Sequence, residues 1–209
     1  MAVRTAAALV ALLLSAACGK TSLDQRLLRV ATQGDRKKVN ELLAKGAHVD
    51  AVDEDGWTPL LWAAAHGNEE TVLALLDGGA NPGAVTRREQ QGPLTLAAKW
   101  NRVEVVQTLL RRRLRPDGRD NIGWSALMWA SLQGRTDVAS ALLDGGASIN
   151  FVDSDGNTPL ILAARRGRLD TVKLLLARGA RADVRNVDGE TAKSLALADD
   201  YPDVAKLLP

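Results

Sequence analysis

Two short apolar patterns alternate along most of the chain, each bounded by residues that start or stop helices. The first runs Pro59-Leu60-Leu61-Trp62-Ala63-Ala64, Ala126-Leu127-Met128-Trp129-Ala130-Ser131 and Pro159-Leu160-Ile161-Leu162-Ala163-Ala164. Thr58 and Thr158 stand just before it, where a hydroxyl accepts an orphan backbone N–H, and proline suits the first turn that follows. The small Ala-Ala pairs let neighbouring helices approach closely. The second pattern runs Val39…Leu42-Leu43, Val72…Leu75-Leu76, Ala139…Leu142-Leu143 and Val172…Leu175-Leu176. Its three- and four-residue spacing predicts an amphipathic helix that buries one stripe. Gly46, Gly79, Gly146 and Gly179 end it, where left-handed backbone is expected. Asp-Gly pairs at 55–56, 155–156 and 188–189 predict tight hairpins between one helix pair and the next.

The patterns keep a common period. Thr58, Ser125, Thr158 and Thr191 are separated by 67, 33 and 33 residues, and the double gap holds Gly92-Pro93-Leu94-Thr95-Leu96-Ala97-Ala98. Leu27-Leu28-Arg29-Val30-Ala31 fits the same register one unit earlier. A 33-residue unit of Asp-Gly turn, Thr-Pro-Leu helix start, Ala-Ala and Leu-Leu-x-x-Gly-Ala resembles the ankyrin repeat. The resemblance implies an all-α solenoid of about six helix-turn-helix units with short β-hairpin fingers. It places the units near 24–54, 55–87, 88–120, 121–153, 154–186 and 187–209. One such unit cannot bury its own apolar face, so stability must come from stacking, and the polar end units read as caps. Gln25, Arg26, Arg29 and Arg36-Lys37-Lys38 occupy the first; Lys193, Asp199-Asp200 and Pro202 the last. A monomer is expected.

Residues 1–17 fall outside the repeat. Arg4, an apolar stretch over 6–14 and Ser15-Ala16-Ala17 have the layout of a secretory signal peptide, too short to span a bilayer. Cys18, the single cysteine of the chain, follows directly. The run Leu14-Ser15-Ala16-Ala17-Cys18-Gly19 resembles a bacterial lipobox, which implies a lipidated Cys18 and, with Gly19 next, the outer membrane of a Gram-negative cell. Ser15 stands where that pattern prefers Leu, so cleavage after Ala17 to a soluble periplasmic or secreted protein stays open. Residues 18–23 would then serve as anchor or linker to a domain spanning 24–209.

Composition narrows the function. Charged residues at 25% and hydrophobic ones at 46% are ordinary globular usage, and aromatics at 3% demand an aliphatic, Ala-rich core. One Cys and two His leave no disulfide framework, Cys-rich zinc site or histidine metal centre. Asp53-Glu54-Asp55-Gly56 and Asp153-Ser154-Asp155-Gly156 resemble the start of a calcium loop, but the sixth and twelfth places hold Thr58 and Ala64, and Thr158 and Ala164; both read as turns. No nucleophile motif or phosphate-cradling loop is present, so no catalytic residue, cofactor or metal is assigned. Basic residues are not interleaved with stacking aromatics, which argues against nucleic acid.

Charge is nonetheless unevenly placed. Residues 20–86 hold 7 basic and 10 acidic side chains, 87–185 hold 17 and 10, and 186–209 hold 2 and 5. The third unit is also degenerate: Arg87-Arg88-Glu89-Gln90-Gln91 replaces Asp-Gly, and the exit becomes Arg111-Arg112-Arg113-Leu114-Arg115-Pro116. That basic run is either a solvated helix end or a contact for an acidic protein or anionic lipid.

Tryptophan marks the candidate site. Trp62 and Trp129, two places after Leu60 and Leu127, are expected in the core. Trp57 and Trp124 fall at finger tips, where they either bind a partner or pack on the adjacent finger. Trp100 falls near the end of the first helix of unit three, in register with His66, Gln133 and Arg166. In ankyrin arrays fingers and inner helices bind proteins, and exposed Trp beside Arg is typical of binding hot spots. The resemblance therefore implies a non-enzymatic module of the bacterial envelope, binding a protein on its concave face and hairpin fingers through Trp57, His66, Trp100, Trp124, Leu132, Gln133, Arg165 and Arg166. The membrane would be reached through the lipid anchor alone. Alternatives are an immunity-type inhibitor of a secreted toxin, or a structural brace of an envelope complex.

Overall fold

The computed structural model describes residues 21–209; the signal-peptide and Cys18 expectations lie outside them. Among the described residues, six helix pairs follow one another: α1 Leu23–Gln33 and α2 Arg36–Ala44, α3 Pro59–His66 and α4 Glu69–Asp77, α5 Pro93–Lys99 and α6 Val103–Arg111, α7 Ala126–Gln133 and α8 Thr136–Asp144, α9 Pro159–Arg165 and α10 Leu169–Ala177, α11 Ala192–Ala198 and α12 Pro202–Ala205. The first helices pack each on the next in one layer, and the second helices do likewise in another.

Helix starts follow the expected chemistry. Ser22, Thr58, Ser125, Thr158 and Thr191 each accept an N–H from the third helical residue. Unit three has Gly92 at this place and no side-chain cap. One apolar cluster runs through both layers: Leu60, Leu127 and Leu160 from first helices, Val72, Leu75, Leu109, Leu142 and Leu175 from second ones. Ala63-Ala64, Ala97-Ala98 and Ala163-Ala164 have no solvent exposure, so first helices meet almost backbone to backbone.

The glycines expected to end second helices do adopt left-handed backbone, with φ between 86° and 90° at Gly46, Gly79, Gly146 and Gly179. Arg113 takes that conformation in unit three (φ 63°). Gly67 and Gly134 end first helices in the same way, at φ 84° and 73°.

The β-hairpin fingers are not found. Among the described residues there is no strand. Each finger is a turn closed by two backbone bonds, as from Asp53 N–H to the Trp57 carbonyl and Gly56 N–H to the Asp53 carbonyl, or from Asp153 N–H to the Asn157 carbonyl and Gly156 N–H to the Asp153 carbonyl. The reason is a competing acceptor. Asp53 Oδ1 takes the N–H groups of Asp55 and Trp57 (3.1 and 2.9 Å), and Asp153 Oδ1 those of Asp155 and Asn157 (3.0 and 2.8 Å). A carboxylate folded over its own loop leaves too few donors for a ladder. Between neighbouring fingers the backbone makes single bonds, from Arg87, Asn121 and Val187 N–H to the carbonyls of Asp55, Glu89 and Asp155.

Ion pairs join successive units as well. Arg36 meets Glu70, Arg111 meets Glu69, Arg112 meets Asp77 and Arg178 meets Asp144. At the first unit, the backbone N–H and ring of His48 hold the Asp24 carboxyl below the usual carboxylate range.

Candidate protein-binding face

The finger carboxylates also decide where the tryptophans go. Asp53 Oδ2 accepts the Trp62 indole N–H at 2.8 Å, and Trp57 stacks on Trp62 with ring centroids 4.3 Å apart. Unit four repeats the device: Asp120 Oδ1 accepts from Ile122 and Trp124 N–H, Oδ2 accepts from Trp129 Nε1 at 2.7 Å, and the Trp124 and Trp129 rings meet edge to face. Trp124 Nε1 donates in turn to Asp153 of the next finger at 2.9 Å. Trp62 and Trp129 are therefore half-buried on the finger side, not in the core where their spacing from Leu60 and Leu127 pointed. Two residues along an α-helix turn a side chain through about 200°, to the far side from the buried leucine. Trp57 and Trp124 are half-buried too, packed against these first-helix indoles.

Beside these clamped pairs runs a row at the C-terminal ends of the first helices. His66 and Gln133 are the last residues of α3 and α7; Trp100 and Arg166 follow the last residues of α5 and α9. Trp100 is 53% exposed, whereas the other four tryptophans are half-buried. His66, Arg165 and Arg166 are exposed, and Leu132 and Gln133 half-buried. His66 Nδ1 lies 3.0 Å from the Trp62 carbonyl, with its ring against Trp62. Arg165 approaches Asp199 only at 3.9 Å, and the Leu132 carbonyl is taken by Arg168 Nε at 3.1 Å. Trp57, Arg88, Leu96, Lys99 and Trp100 line a recess between the second and third fingers.

Of the eight expected residues, Trp57 and Trp100 share this recess and Arg165 and Arg166 share another beside Asp199 and Tyr201, while His66, Trp124, Leu132 and Gln133 line neither. Sequence reasoning missed four participants: three aspartates and Lys99. Asp53 and Asp153, read as turn residues, and Asp120, given no role, are the keystones that hold the indoles. Their signal was legible: an Asp recurs four places before Trp57, Trp124 and Asn157. Lys99 places its ammonium 4.4 Å from the Trp129 ring centroid and 3.4 Å from Gln91 Oε1, bridging units three and four.

The basic run lies elsewhere and is half neutralised. Arg111 pairs with Glu69 and Arg112 with Asp77 of the preceding unit, while Arg113 and Arg115 are exposed. Among the described residues, no group of three or more His, Cys, Asp or Glu could hold a metal ion, and no helix is long and apolar enough to cross a membrane.

Comparison with known proteins agrees with the architecture. Over 126 residues the chain is 35% identical to the ankyrin repeat, SAM and basic leucine zipper domain-containing protein 1 of Ornithorhynchus anatinus, covering 57% of this chain and 26% of that one. The same protein of Nomascus leucogenys and of Gorilla gorilla gorilla is 34% identical over 121 residues, covering 56% and 25%. The chain thus spans about a quarter of the length of these curated relatives. The family model for ankyrin repeats (three copies) matches residues 1–86, 27–120, 79–153 and 127–209. With stacked helix pairs, left-handed glycines at the helix ends and a model match along its whole length, the chain belongs to the ankyrin-repeat family.

Proposed function

We propose that this ankyrin array, a protein–protein interaction module by family, binds its partner on the face formed by the fingers and the ends of the first helices in units two to five. The observation that carries the reading is Trp100. It is a large apolar side chain, 53% exposed, beside a recess walled by Trp57 and followed across the array by Gln133 and Arg166. In the units on either side, the first-helix indoles Trp62 and Trp129 are already fixed by hydrogen bonds to Asp53 and Asp120, so little of their side-chain freedom is lost on binding. Exposed Trp with Arg on a rigid surface is what dominates most measured interfaces.

Trp57 and Trp124 act in this reading as supports for the face as well as contacts. Removing them would disturb the fold along with binding. The informative variants are Trp100→Ala and Arg165→Ala/Arg166→Ala, compared with Lys173→Ala on α10. We expect Trp100→Ala to weaken partner capture by about tenfold or more, with an unchanged circular dichroism spectrum. Capture unaffected by Trp100→Ala and Arg165→Ala/Arg166→Ala but lost on altering the second helices would instead favour a brace that holds an envelope complex.

The cellular setting proposed for this binding is the bacterial envelope, with Cys18 lipidated at the mature N-terminus. Its support is the sequence of residues 1–18: Arg4, the apolar 6–14, the small 15–17 and the single cysteine of the chain. Mass spectrometry of the N-terminal peptide reads this directly. A lipid-bearing Cys18 is expected; a free N-terminus at Cys18, or an uncut Met1, excludes the anchor.

A further inference from the structure

A second surface lies on the other side of the third finger, and it shares no lining residue with the recess at Trp100. It is a groove between the loop that enters unit three and the loop that leaves it. Val85, Leu94 and Leu114 form its apolar floor and walls, between Pro82 on one side and Pro116 on the other. Val85 is 41% exposed there. Arg115 and Arg119 stand along the edge, and none of the lining residues is acidic. The recess at Trp100 differs in this respect, for Asp55 and Glu89 sit in it beside Arg88 and Lys99.

The groove follows from the irregularities of unit three. One extra residue lengthens its finger and puts Gln90 at φ 55°. Arg113 in left-handed backbone and the bulky Leu114 stand where the other units have Gly-Ala. The surplus charge of the basic middle also collects here. Glu69 and Asp77 take up Arg111 and Arg112, Asp55 approaches Arg88, and the Glu54 carbonyl accepts from Arg87. Asp117, two residues from both Arg115 and Arg119, is already bound to the backbone N–H and hydroxyl of Ser148, and Asp120, next to Arg119, accepts from Ile122, Trp124 and Trp129. Among the described residues no carboxylate pairs with Arg113, Arg115 or Arg119. Arg119 stacks its guanidinium 4.3 Å from the Phe151 ring centroid, which holds it still and leaves its in-plane N–H donors free.

We infer that this groove is a docking site for an extended, acidic segment of a partner protein, with an apolar side chain seated against Val85 and Leu114 and carboxylates paired to Arg115 and Arg119. Concavity and chemistry favour a peptide over a lipid surface, because the cations line a recess together with apolar side chains and prolines. A bilayer would be met instead by a flat, projecting cluster of cations. Bidentate guanidinium–carboxylate pairing sets which residues flank the apolar one.

The probe is a fluorescein-labelled, proline-containing peptide with glutamates on either side of a leucine, followed by anisotropy with the full-length chain. A lysine-for-glutamate peptide and phosphatidylglycerol vesicles are run beside it. We expect saturable binding of the acidic peptide, none of the lysine peptide, and a loss of about tenfold in Arg115→Glu/Arg119→Glu. Arg115→Gln/Arg119→Gln should fall between, and Val85→Ser should also weaken binding. All of these positions are exposed, so folding is not at risk. Trp100→Ala should leave the peptide bound, which separates this site from the face proposed above. Absence of saturable peptide binding, an equal loss in Trp100→Ala, or binding of vesicles in preference to peptide would each overturn the inference.

Discussion

At the scale of single residues, the aspartates of the finger turns do more than the tryptophans they position. Asp120 is 7% exposed and accepts four donors: Ile122 N–H, Trp124 N–H, Trp129 Nε1–H and, at 3.5 Å, Gln91 Nε2–H. A buried carboxylate is tolerated when its lone pairs are this fully used. Asp120→Ala would leave those donors without an acceptor, and unsatisfied buried groups cost about 1–3 kcal/mol each. We expect a loss of about 3 kcal/mol in urea unfolding, with a change in tryptophan emission as the Trp124–Trp129 contact loosens. Asp120→Asn, which keeps an acceptor, should cost less. An alanine variant as stable as the parent would show that the clamp is not what holds the finger.

At the scale of elements, the junction between first and second helices couples one unit to the next. Gly67 ends α3 at φ 84°, and a Cβ built there would lie 2.7 Å from Arg102 Cδ of the following unit. That arginine cannot simply swing away, because its Nε donates to the Ala65 carbonyl at 3.0 Å. Gly134 and Arg168 form the same lock, with Arg168 Nε on the Leu132 carbonyl. Gly79, at the end of α4, has a similar φ of 87° but open space around it. Both positions carry the left-handed strain of about 1–2 kcal/mol when alanine is introduced. Only Gly67→Ala also forfeits a hydrogen bond between units, worth about 1 kcal/mol more. Thermal unfolding should therefore rank Gly67→Ala as the more damaging; equal losses would mean that Arg102 adapts freely.

At the scale of the molecule, each helix pair contacts only its neighbours, so stability is a sum of unit and interface contributions. Unit three has two interfaces and the last unit one. Leu109 on α6 and Leu208 after α12 are both buried, at 0% and 3% exposure. Leu109→Ala is expected to cost about 3 kcal/mol and to lower the unfolding midpoint of the whole array. Leu208→Ala should cost less and speed hydrogen exchange in α11 and α12 alone, leaving α3 to α8 protected. Uniform loss of protection in the Leu208 variant would show a single cooperative block instead. Inter-unit ion pairs such as Arg112–Asp77 and Arg178–Asp144 are exposed and contribute little individually, but they neutralise charge that the sequence leaves uneven.

The repeat and its helix boundaries could be read from the chain alone, because caps, prolines and left-handed glycines act over a few neighbouring residues. Thr58, Pro59, Gly79 and Gly146 say where a helix starts or stops without reference to anything distant. The place of the indoles was legible in part: helix periodicity sets Trp62 and Trp129 on the side away from Leu60 and Leu127. What adjacent letters leave open is that Trp124 also reaches Asp153 of the next finger, 29 residues on. The same holds for charge: the basic middle is visible as composition, but which arginines are satisfied depends on acidic residues roughly one repeat away. Local backbone preference is written in adjacent letters. Which side chains meet across a stack, and which cations are left over to face a partner, is fixed only once the units are set one upon another.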